Sequence, residues 1–88
     1  MKIEITRKFQ RQLDSCTDQS VRKKVAGIIE NIVITESLSG ISSLKKLKGY
    51  ENCYRIRIGN YRLGLILRDN FIIFAAFDHR SDIYKYFP

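Results

Sequence analysis

Three arginines lie on two neighbouring segments that both alternate apolar with polar or small residues. Arg55 and Arg57 belong to segment 54–58, and Arg62 follows the Gly59-Asn60 dipeptide. A two-residue Gly-Asn connection favours a tight β-hairpin, and counting outward from it pairs Arg57 with Arg62. Like charges directly opposite each other cost about 0.2–1 kcal/mol per pair, so the shared face predicts an anion-binding site. A solvated outer face of a sheet is the alternative interpretation.

A second group of chemically capable side chains follows the last predicted strand. His79 is the only histidine of the sequence, and imidazole exchanges a proton readily near neutral pH, as acid-base cleavage of RNA requires. A surface histidine paired with Asp78 or Asp82 is an equally good interpretation. Tyr84, Tyr86 and Phe87 add aromatic surface next to a basic face, a combination that single-stranded nucleic acid uses for base stacking. Aromatic residues here could equally cover the edge of the core.

The composition bounds the class of protein. The 88 residues predict one domain, 1–88, in which Lys and Arg outnumber Asp and Glu by 16 to 9. This charge favours nucleic acid, an acidic protein or an anionic membrane surface as partner. The longest apolar run, 71–77, is too short to span a membrane, and residues 1–9 lack a signal-peptide pattern, so we expect a cytoplasmic location. Cys16 and Cys53 form no CxxC pair, which predicts small buried residues rather than metal ligands.

Several classes of chemistry lack their motifs in this sequence. There is no P-loop, no dinucleotide glycine fingerprint, no HExxH and no clustered carboxylate pair. We therefore expect any catalysis to need no metal and no cofactor. Such cleavage of RNA requires a base for the 2′-hydroxyl, cations for the transition state and an acid for the leaving oxygen. The arginines would supply the cations.

The rest of the chain predicts the scaffold that positions these residues. Residues 2–6 alternate as a short strand, expected at an edge or beside the second hairpin, and residues 7–15 predict a first helix capped by Thr6. A second helix, expected to end near Ser37, carries an apolar stripe at Val21, Val25, Ile28, Ile29 and Ile32. Segment 44–49 could form a further strand. The order β-α-α followed by a three- to four-stranded antiparallel sheet predicts a two-layer α+β domain, with helices on one sheet face and arginines on the other.

A second hairpin is predicted by the Asp69-Asn70 turn. Counting outward from this turn pairs residues of the core face, Leu67 with Ile72, Leu65 with Phe74 and Leu63 with Ala76. The same count places Gly64 beside Ala75 on the arginine face. Two small side chains there predict a shallow depression that a ligand backbone could approach.

The runs LKGYENCYRIRIGNYRLGLIL and FDHRSDIYKYFP resemble the RelE/ParE superfamily of toxins from type II toxin-antitoxin systems, closest to the RelE-like messenger-RNA interferases. The resemblance covers the whole chain. It implies a RelE-like fold and a toxin that enters the ribosomal A site, cuts mRNA there and is held inactive by an acidic antitoxin. The implied partners are this antitoxin, mRNA and the ribosome, with no membrane.

The resemblance also implies roles for single residues. Arg55 and Arg57 match a basic pair that contacts the scissile phosphate, and Arg62 matches an arginine that stabilises the transition state. Arg80 matches a tail arginine that acts as acid or charge stabiliser, and Tyr84 a tyrosine that orients and stacks the substrate. The remaining predicted site residues are His79 for proton transfer and, for substrate binding, Lys45, Lys46, Lys48 and Tyr86. Relatives commonly have lysines at the Arg55 and Arg57 positions, and arginine is a poor proton acceptor, which makes His79 a candidate for one proton transfer.

Two other functions fit the same residues. A gyrase-directed toxin of the ParE type shares the fold but lacks the RNA-cutting constellation, so the arginines with His79 and Tyr84 count against it. The second is a catalytically inactive, RNA-binding relative that keeps the fold and the antitoxin partner.

Overall fold

Two helices cover one face of a five-stranded mixed sheet in the computed structural model, which describes residues 1–41 and 43–88. The elements in chain order are β1 (Lys2–Ile5), α1 (Arg7–Asp14), α2 (Gln19–Ile34), β2 (Leu44–Lys46), β3 (Cys53–Ile58), β4 (Tyr61–Arg68) and β5 (Phe71–His79). Short 3-10 turns occupy Leu38–Gly40 and Ile83–Lys85. The strand order is β1-β5-β4-β3-β2, with β1 parallel to β5 at the edge and the other pairs antiparallel. The predicted two-layer α+β architecture is confirmed.

The first helix begins where the sequence predicts. The side chain of Thr6 accepts a hydrogen bond from the Phe9 amide at 3.2 Å, which satisfies one of the free N–H groups of the first turn. The same hydroxyl donates to the Phe74 carbonyl of β5 at 3.0 Å. Thr6 therefore caps α1 and also fixes the start of this helix against the sheet.

The second helix ends at Ile34, three residues before the predicted Ser37. Its start is capped by Asp18, whose carboxylate accepts from the Val21 amide at 3.1 Å. At its end the backbone is already extended at Thr35 and again at Ser37. The predicted helix end at Ser37 is wrong. β-Branched residues lose side-chain freedom in a helix and regain it in extended backbone, so the helix ends within the Ile-Val-Ile-Thr run.

The main core lies between the two helices and the sheet. Phe9 of α1 packs edge-to-face on Phe74 and Phe77 of β5, with ring centroids 5.3 and 6.2 Å apart. Completely buried around them are Val25, Ile32, Ile56 and Leu63. Burying one such side chain contributes about 1.5–3 kcal/mol, so this core holds the sheet rigidly behind whatever its other face binds.

The first hairpin has the predicted register. Gly59 adopts the left-handed backbone conformation, φ 56°, and Arg57 pairs with Arg62 while Arg55 pairs with Gly64. Segment 44–49 does supply a strand, β2, in which Lys45 pairs with Arg55. A turn at the tip of two alternating strands thus decides which side chains share a face.

The second hairpin departs from its predicted register halfway along. Leu67–Ile72 and Leu65–Phe74 pair as expected, but a register shift follows between Gly64 and Leu65. Beyond it Gly64 pairs with Ala76 and Leu63 with Phe77, so the predicted pairs Leu63–Ala76 and Gly64–Ala75 are wrong. A β-bulge inserts one extra residue into a strand. Here it turns the large Phe77 ring, rather than Ala76, into the core beneath the helices.

The sequence predicts that both cysteines are small buried residues. Both thiols are free, with Cys16 buried and Cys53 half-buried; each packs with apolar neighbours.

In the ranges 1–41 and 43–88 no helix has the length and apolar character needed to cross a membrane.

Candidate functional site

Strand alternation places the three arginines together on the sheet face that the helices leave uncovered. Arg57 lies directly opposite Arg62, and Arg55 lies on the neighbouring residue pair of the same face. Lys45 of β2 faces Arg55 and extends the group toward the sheet edge. We call this surface, Lys45 with Arg55, Arg57 and Arg62, the arginine face.

Arg62 is the most enclosed of these cations, with 9 % of its surface exposed. Its Nη1 donates to the carbonyl oxygens of Gly59 and Tyr61, both at 2.8 Å. A guanidinium has five N–H donors, and among the described residues only Nη1 of Arg62 has hydrogen-bond partners, which leaves Nε and Nη2 to donate to a ligand. Because the turn already holds the side chain, Arg62 is oriented before any anion arrives.

Among the described residues no carboxylate forms a salt bridge with the cations of the arginine face. The pKa of Arg55 is lowered from its ordinary value, chiefly by desolvation on burial and then by the charge of Arg57, with a smaller effect of Arg62. The only salt bridge among the described residues joins Lys85 to Asp82, at 3.2 Å. An anion bound between the arginines would therefore relieve a repulsion that the described part of the chain leaves uncompensated.

The C-terminal tail crosses the same face and brings Tyr84 to the arginines. Tyr84 lies close enough to Arg55 to raise the pKa of the guanidinium, which partly opposes the three lowering effects. The Tyr84 side chain is 47 % exposed. On either side of it, Ile83 and Phe87 are buried against Ala76 in a small second core. Tyr84 is thus an exposed aromatic ring held between two buried anchors.

Phe87 occupies the depression that the sequence predicted beside Gly64. A Cβ placed on Gly64 would lie 2.8 Å from two carbons of the Phe87 ring. The prediction that a ligand backbone approaches here is wrong, because the small residues receive an aromatic ring of the chain itself. Gly64 therefore serves the docking of the tail.

The predicted substrate-binding residues divide between different surfaces. Lys45 lies on the arginine face, whereas Lys46 pairs with Tyr54 and so points to the helix side. Lys48 lines a cleft in the β2–β3 connection together with Lys46 and Tyr50.

Tyr86 is held at the edge of β5 beside α1. Its hydroxyl donates to Asp78 Oδ2 at 2.8 Å and accepts from Gln12 Nε2 at 2.6 Å. The Nζ of Lys8 lies 3.7 Å from the centroid of the ring, a cation–π contact. All three partners are side chains of the protein itself, so Tyr86 helps to hold the tail against α1 and β5.

His79 lies on the helix side of the sheet and is not brought together with the arginines. It pairs with Tyr61, and the two rings meet edge-to-face with centroids 5.7 Å apart. Its Nδ1 lies 3.0 Å from the Ser81 hydroxyl. His79 lines a cleft of about 390 Å³ with Arg11 and Cys16.

Arg80 starts the tail next to the first hairpin. Its amide donates to the Asn60 carbonyl at 2.7 Å, which ties the exposed Arg80 to the turn that also orients Arg62.

Within the described ranges no group of three or more His, Cys, Asp or Glu side chains could hold a metal ion.

Sequence reasoning offered coverage of the core's edge as one interpretation of the tail aromatics, but it did not find the contacts that hold the tail in place. The line of small residues at Gly64, Ala75 and Ala76 was a usable signal, since a buried row without side-chain volume has to be filled by something. The apolar Phe87 near the end of the chain was the available filler. The contact of Tyr86 with Gln12 had no comparable signal, because the two residues are 74 positions apart in the sequence.

Comparison with known proteins supports one family. The model for the ParE toxin of the type II toxin-antitoxin system, parDE, matches residues 3–84. The chain is 40% identical over 89 residues to "Toxin RelE3" of Methanocaldococcus jannaschii, with both proteins covered completely. The chain belongs to the RelE/ParE family of toxins from type II toxin-antitoxin systems and is RelE-like.

Solved structures agree with this assignment. A chain in the crystal structure of the RelB-RelE antitoxin-toxin complex from Methanococcus jannaschii is 39% identical, with a TM-score of 0.82 and coverage of 97% of this chain and 99% of that one. A chain of the archaeal RelE-RelB complex from Pyrococcus horikoshii OT3 is 20% identical, with a TM-score of 0.70 and coverage of 92% and 96%. The second likeness concerns the fold alone.

Proposed function

We propose that this toxin is a metal-independent endoribonuclease that cuts messenger RNA in the ribosomal A site and so inhibits translation. The observation that carries the proposal is the direct opposition of Arg57 and Arg62, with no salt bridge to a carboxylate in the described residues. Such a pair costs stability, and the binding of a phosphate would compensate that cost.

The proposed reaction is an in-line attack on phosphorus. The 2′-hydroxyl gives its proton to water and its oxygen forms a bond to phosphorus while the bond to the 5′-oxygen breaks, and negative charge builds up on the non-bridging oxygens. The leaving 5′-oxygen takes a proton from water, so the products are a 2′,3′-cyclic phosphate and a 5′-hydroxyl. Arg62, oriented by two carbonyls, would donate from Nε and Nη2 to these oxygens. Arg55 and Arg57 would hold the phosphate from β3, and Tyr84 would stack on a neighbouring base.

In this proposal most of the rate enhancement comes from stabilising charge in the transition state and from orienting the substrate. Arginine is a poor proton acceptor, and the one histidine faces Tyr61 on the helix side. Arg80, tied to the first hairpin through its amide, is the proposed charge stabiliser for the leaving 5′-oxygen. Removing one donor of this kind typically costs about 100- to 1000-fold in rate.

The proposed partners follow from charge and from the relatives. A net charge of +7 favours polyanions, and Lys45 would extend the path of the RNA backbone beyond Arg55. An acidic antitoxin is the proposed inhibitor, supported by the RelB-RelE antitoxin-toxin complex of a similar protein. Covering the arginine face with carboxylates would silence the toxin.

Single-turnover cleavage on purified ribosomes carrying a defined mRNA tests the enzymatic proposal. Arg57→Thr should lower the rate by about 100-fold or more. Arg68→Thr is the matched control, since it removes one exposed arginine from the far end of β4 with the same change in net charge. Equal rates for wild type and Arg57→Thr would contradict the proposal.

A gyrase-directed toxin is the second candidate, favoured by the match of the ParE family model to residues 3–84. Induction of the protein in growing cells, followed by incorporation of labelled leucine and thymidine, separates the two. Earlier loss of leucine incorporation supports the endoribonuclease, whereas earlier loss of thymidine incorporation supports inhibition of gyrase.

A further inference from the structure

We propose that Tyr86 is a positioning residue that keeps the Asp78 carboxylate away from Arg62 and so preserves the positive charge of the arginine face. Its effect on cleavage rests on the proposed function, but its effect on anion binding does not. The inference starts from an acidic residue that lies beside the site without neutralising it.

Asp78 is the acidic residue placed directly opposite Arg62. The β4–β5 register pairs the two after the bulge, and opposite residues of an antiparallel pair share a face with Cβ atoms about 4.5–5.5 Å apart. A carboxylate and a guanidinium at this separation ordinarily form a charge-assisted pair. The described residues nevertheless contain no salt bridge between them.

Other donors occupy the carboxylate of Asp78. Its Oδ1 accepts from the His79 amide and its Oδ2 from the Tyr86 hydroxyl, each at 2.8 Å. The hydroxyl in turn accepts from Gln12 Nε2 at 2.6 Å, and Gln12 Oε1 accepts from the Phe77 amide at 2.9 Å. The network links α1, the tail and the edge of β5, and it draws the carboxylate toward that edge.

The hydroxyl of Tyr86 is suited to donate permanently. The pKa of Tyr86 is raised to about 12, first by desolvation on burial and then by its hydrogen bond to Asp78. The phenol therefore keeps its proton at any physiological pH and stays available as a donor. The ring is fixed separately by Lys8, which lets phenylalanine take its place.

Loss of the hydroxyl would free Asp78 Oδ2 to seek another donor. Within residues 1–41 and 43–88 Arg62 donates from Nη1 alone, to the carbonyls of Gly59 and Tyr61, so its Nε and Nη2 groups could donate to that oxygen. The resulting pair would neutralise one of the three arginines. The buried anchors Ile83 and Phe87 do not involve the hydroxyl, so the tail should stay docked.

Four proteins test the proposal: wild type, Tyr86→Phe, Asp78→Asn and the double variant. The probe is a 12-nucleotide oligo-dT, which offers phosphates but no 2′-hydroxyl, and its binding is followed by fluorescence anisotropy over a range of salt. Tyr86→Phe should bind about tenfold more weakly, with a salt slope smaller by about 0.7, the value for one phosphate contact on a single strand. Asp78→Asn should resemble wild type, and the double variant should recover wild-type affinity and slope.

Cleavage on programmed ribosomes is the second readout. The rate of Tyr86→Phe should fall about tenfold or more through loss of one transition-state cation and return with Asp78→Asn. If wild type does not cleave, the proposed function fails, while the oligo-dT series still decides the role of Tyr86. The Arg62 Nε–H resonance in ¹⁵N–¹H spectra should shift in Tyr86→Phe and return in the double variant.

Three results would overturn the inference. The first is wild-type binding by Tyr86→Phe. The second is a defect in Tyr86→Phe that Asp78→Asn does not rescue, since a structural loss would be indifferent to the charge at Asp78. The third is failure of Tyr86→Phe to fold in a thermal melt, because the hydroxyl would then be required for the fold itself.

Discussion

Replacing Gly64 with alanine should displace the C-terminal tail from the arginine face. The added Cβ would lie 3.0 Å from one carbon of the Phe87 ring and 2.8 Å from two others, and the latter distance is closer than carbon atoms approach in folded proteins. β4 lies between β3 and β5 in the sheet, so the strand is held on both sides. The tail, which carries Phe87, is the part that moves.

The expected loss in the free energy of unfolding follows from the burial of the Phe87 side chain. Phe87 is 5 % exposed, and full burial of such a side chain is worth about 1.5–3 kcal/mol. Overpacking by one methyl costs about 1–3 kcal/mol, so Gly64→Ala should lower the free energy of unfolding by that amount. Phe87→Ala alone should cost about 3 kcal/mol. With the ring absent, Gly64→Ala should be neutral or stabilising by up to about 1 kcal/mol, because alanine loses less backbone entropy than glycine.

Urea unfolding followed by far-UV circular dichroism measures all four members of this double-mutant cycle, since the chain has no tryptophan for fluorescence. Gly27→Ala in α2 is the control. Its Cβ would meet nothing within 4 Å, so it should stabilise the helix by up to about 1 kcal/mol. A cost of Gly64→Ala that is the same in both backgrounds within about 0.5 kcal/mol would refute the proposed contact between glycine and ring.

Four shorter predictions concern the site. Arg57→Thr should keep or raise the free energy of unfolding by up to about 1 kcal/mol, because it removes repulsion with Arg62 and inserts a good strand former; clear destabilisation in a thermal melt would mean that Arg57 has a partner. His79→Ala should leave the pH dependence of single-turnover cleavage unchanged, since His79 contacts Tyr61; a flattened profile would make His79 the proton carrier. The pKa of Tyr86 is raised to about 12 in the folded protein, so its contribution to stability should be complete below about pH 10 and disappear toward pH 12; in alkaline titrations Tyr86→Phe should lose less stability over this interval. Binding of the acidic antitoxin should weaken with salt in calorimetry, and Lys45→Glu should weaken it further; affinity independent of salt would contradict charge-driven inhibition.

The sequence alone determined the first hairpin and the face that its arginines share. The turn Gly59-Asn60 lies between two alternating segments, and both signals act over a few residues. They therefore predicted the Arg57–Arg62 pair, which the sheet contains. The two-layer α+β fold was predicted on the same grounds, because apolar spacing of 3.6 or 2 residues distinguishes helix from strand locally.

The tertiary structure decided which residues flank that face. Without a bulge the second hairpin would pair Tyr61 with Asp78, which would place Asp78 on the helix side and His79 among the arginines. The shift beyond Leu65 instead pairs Arg62 with Asp78 and Tyr61 with His79, so one inserted residue exchanges the faces of the two side chains. The bulge brings Phe77 against Phe9 of α1, and the tail then fills the space beside Gly64 with Phe87. Both outcomes depend on volumes that distant elements present to each other, which no local pattern of residues encodes.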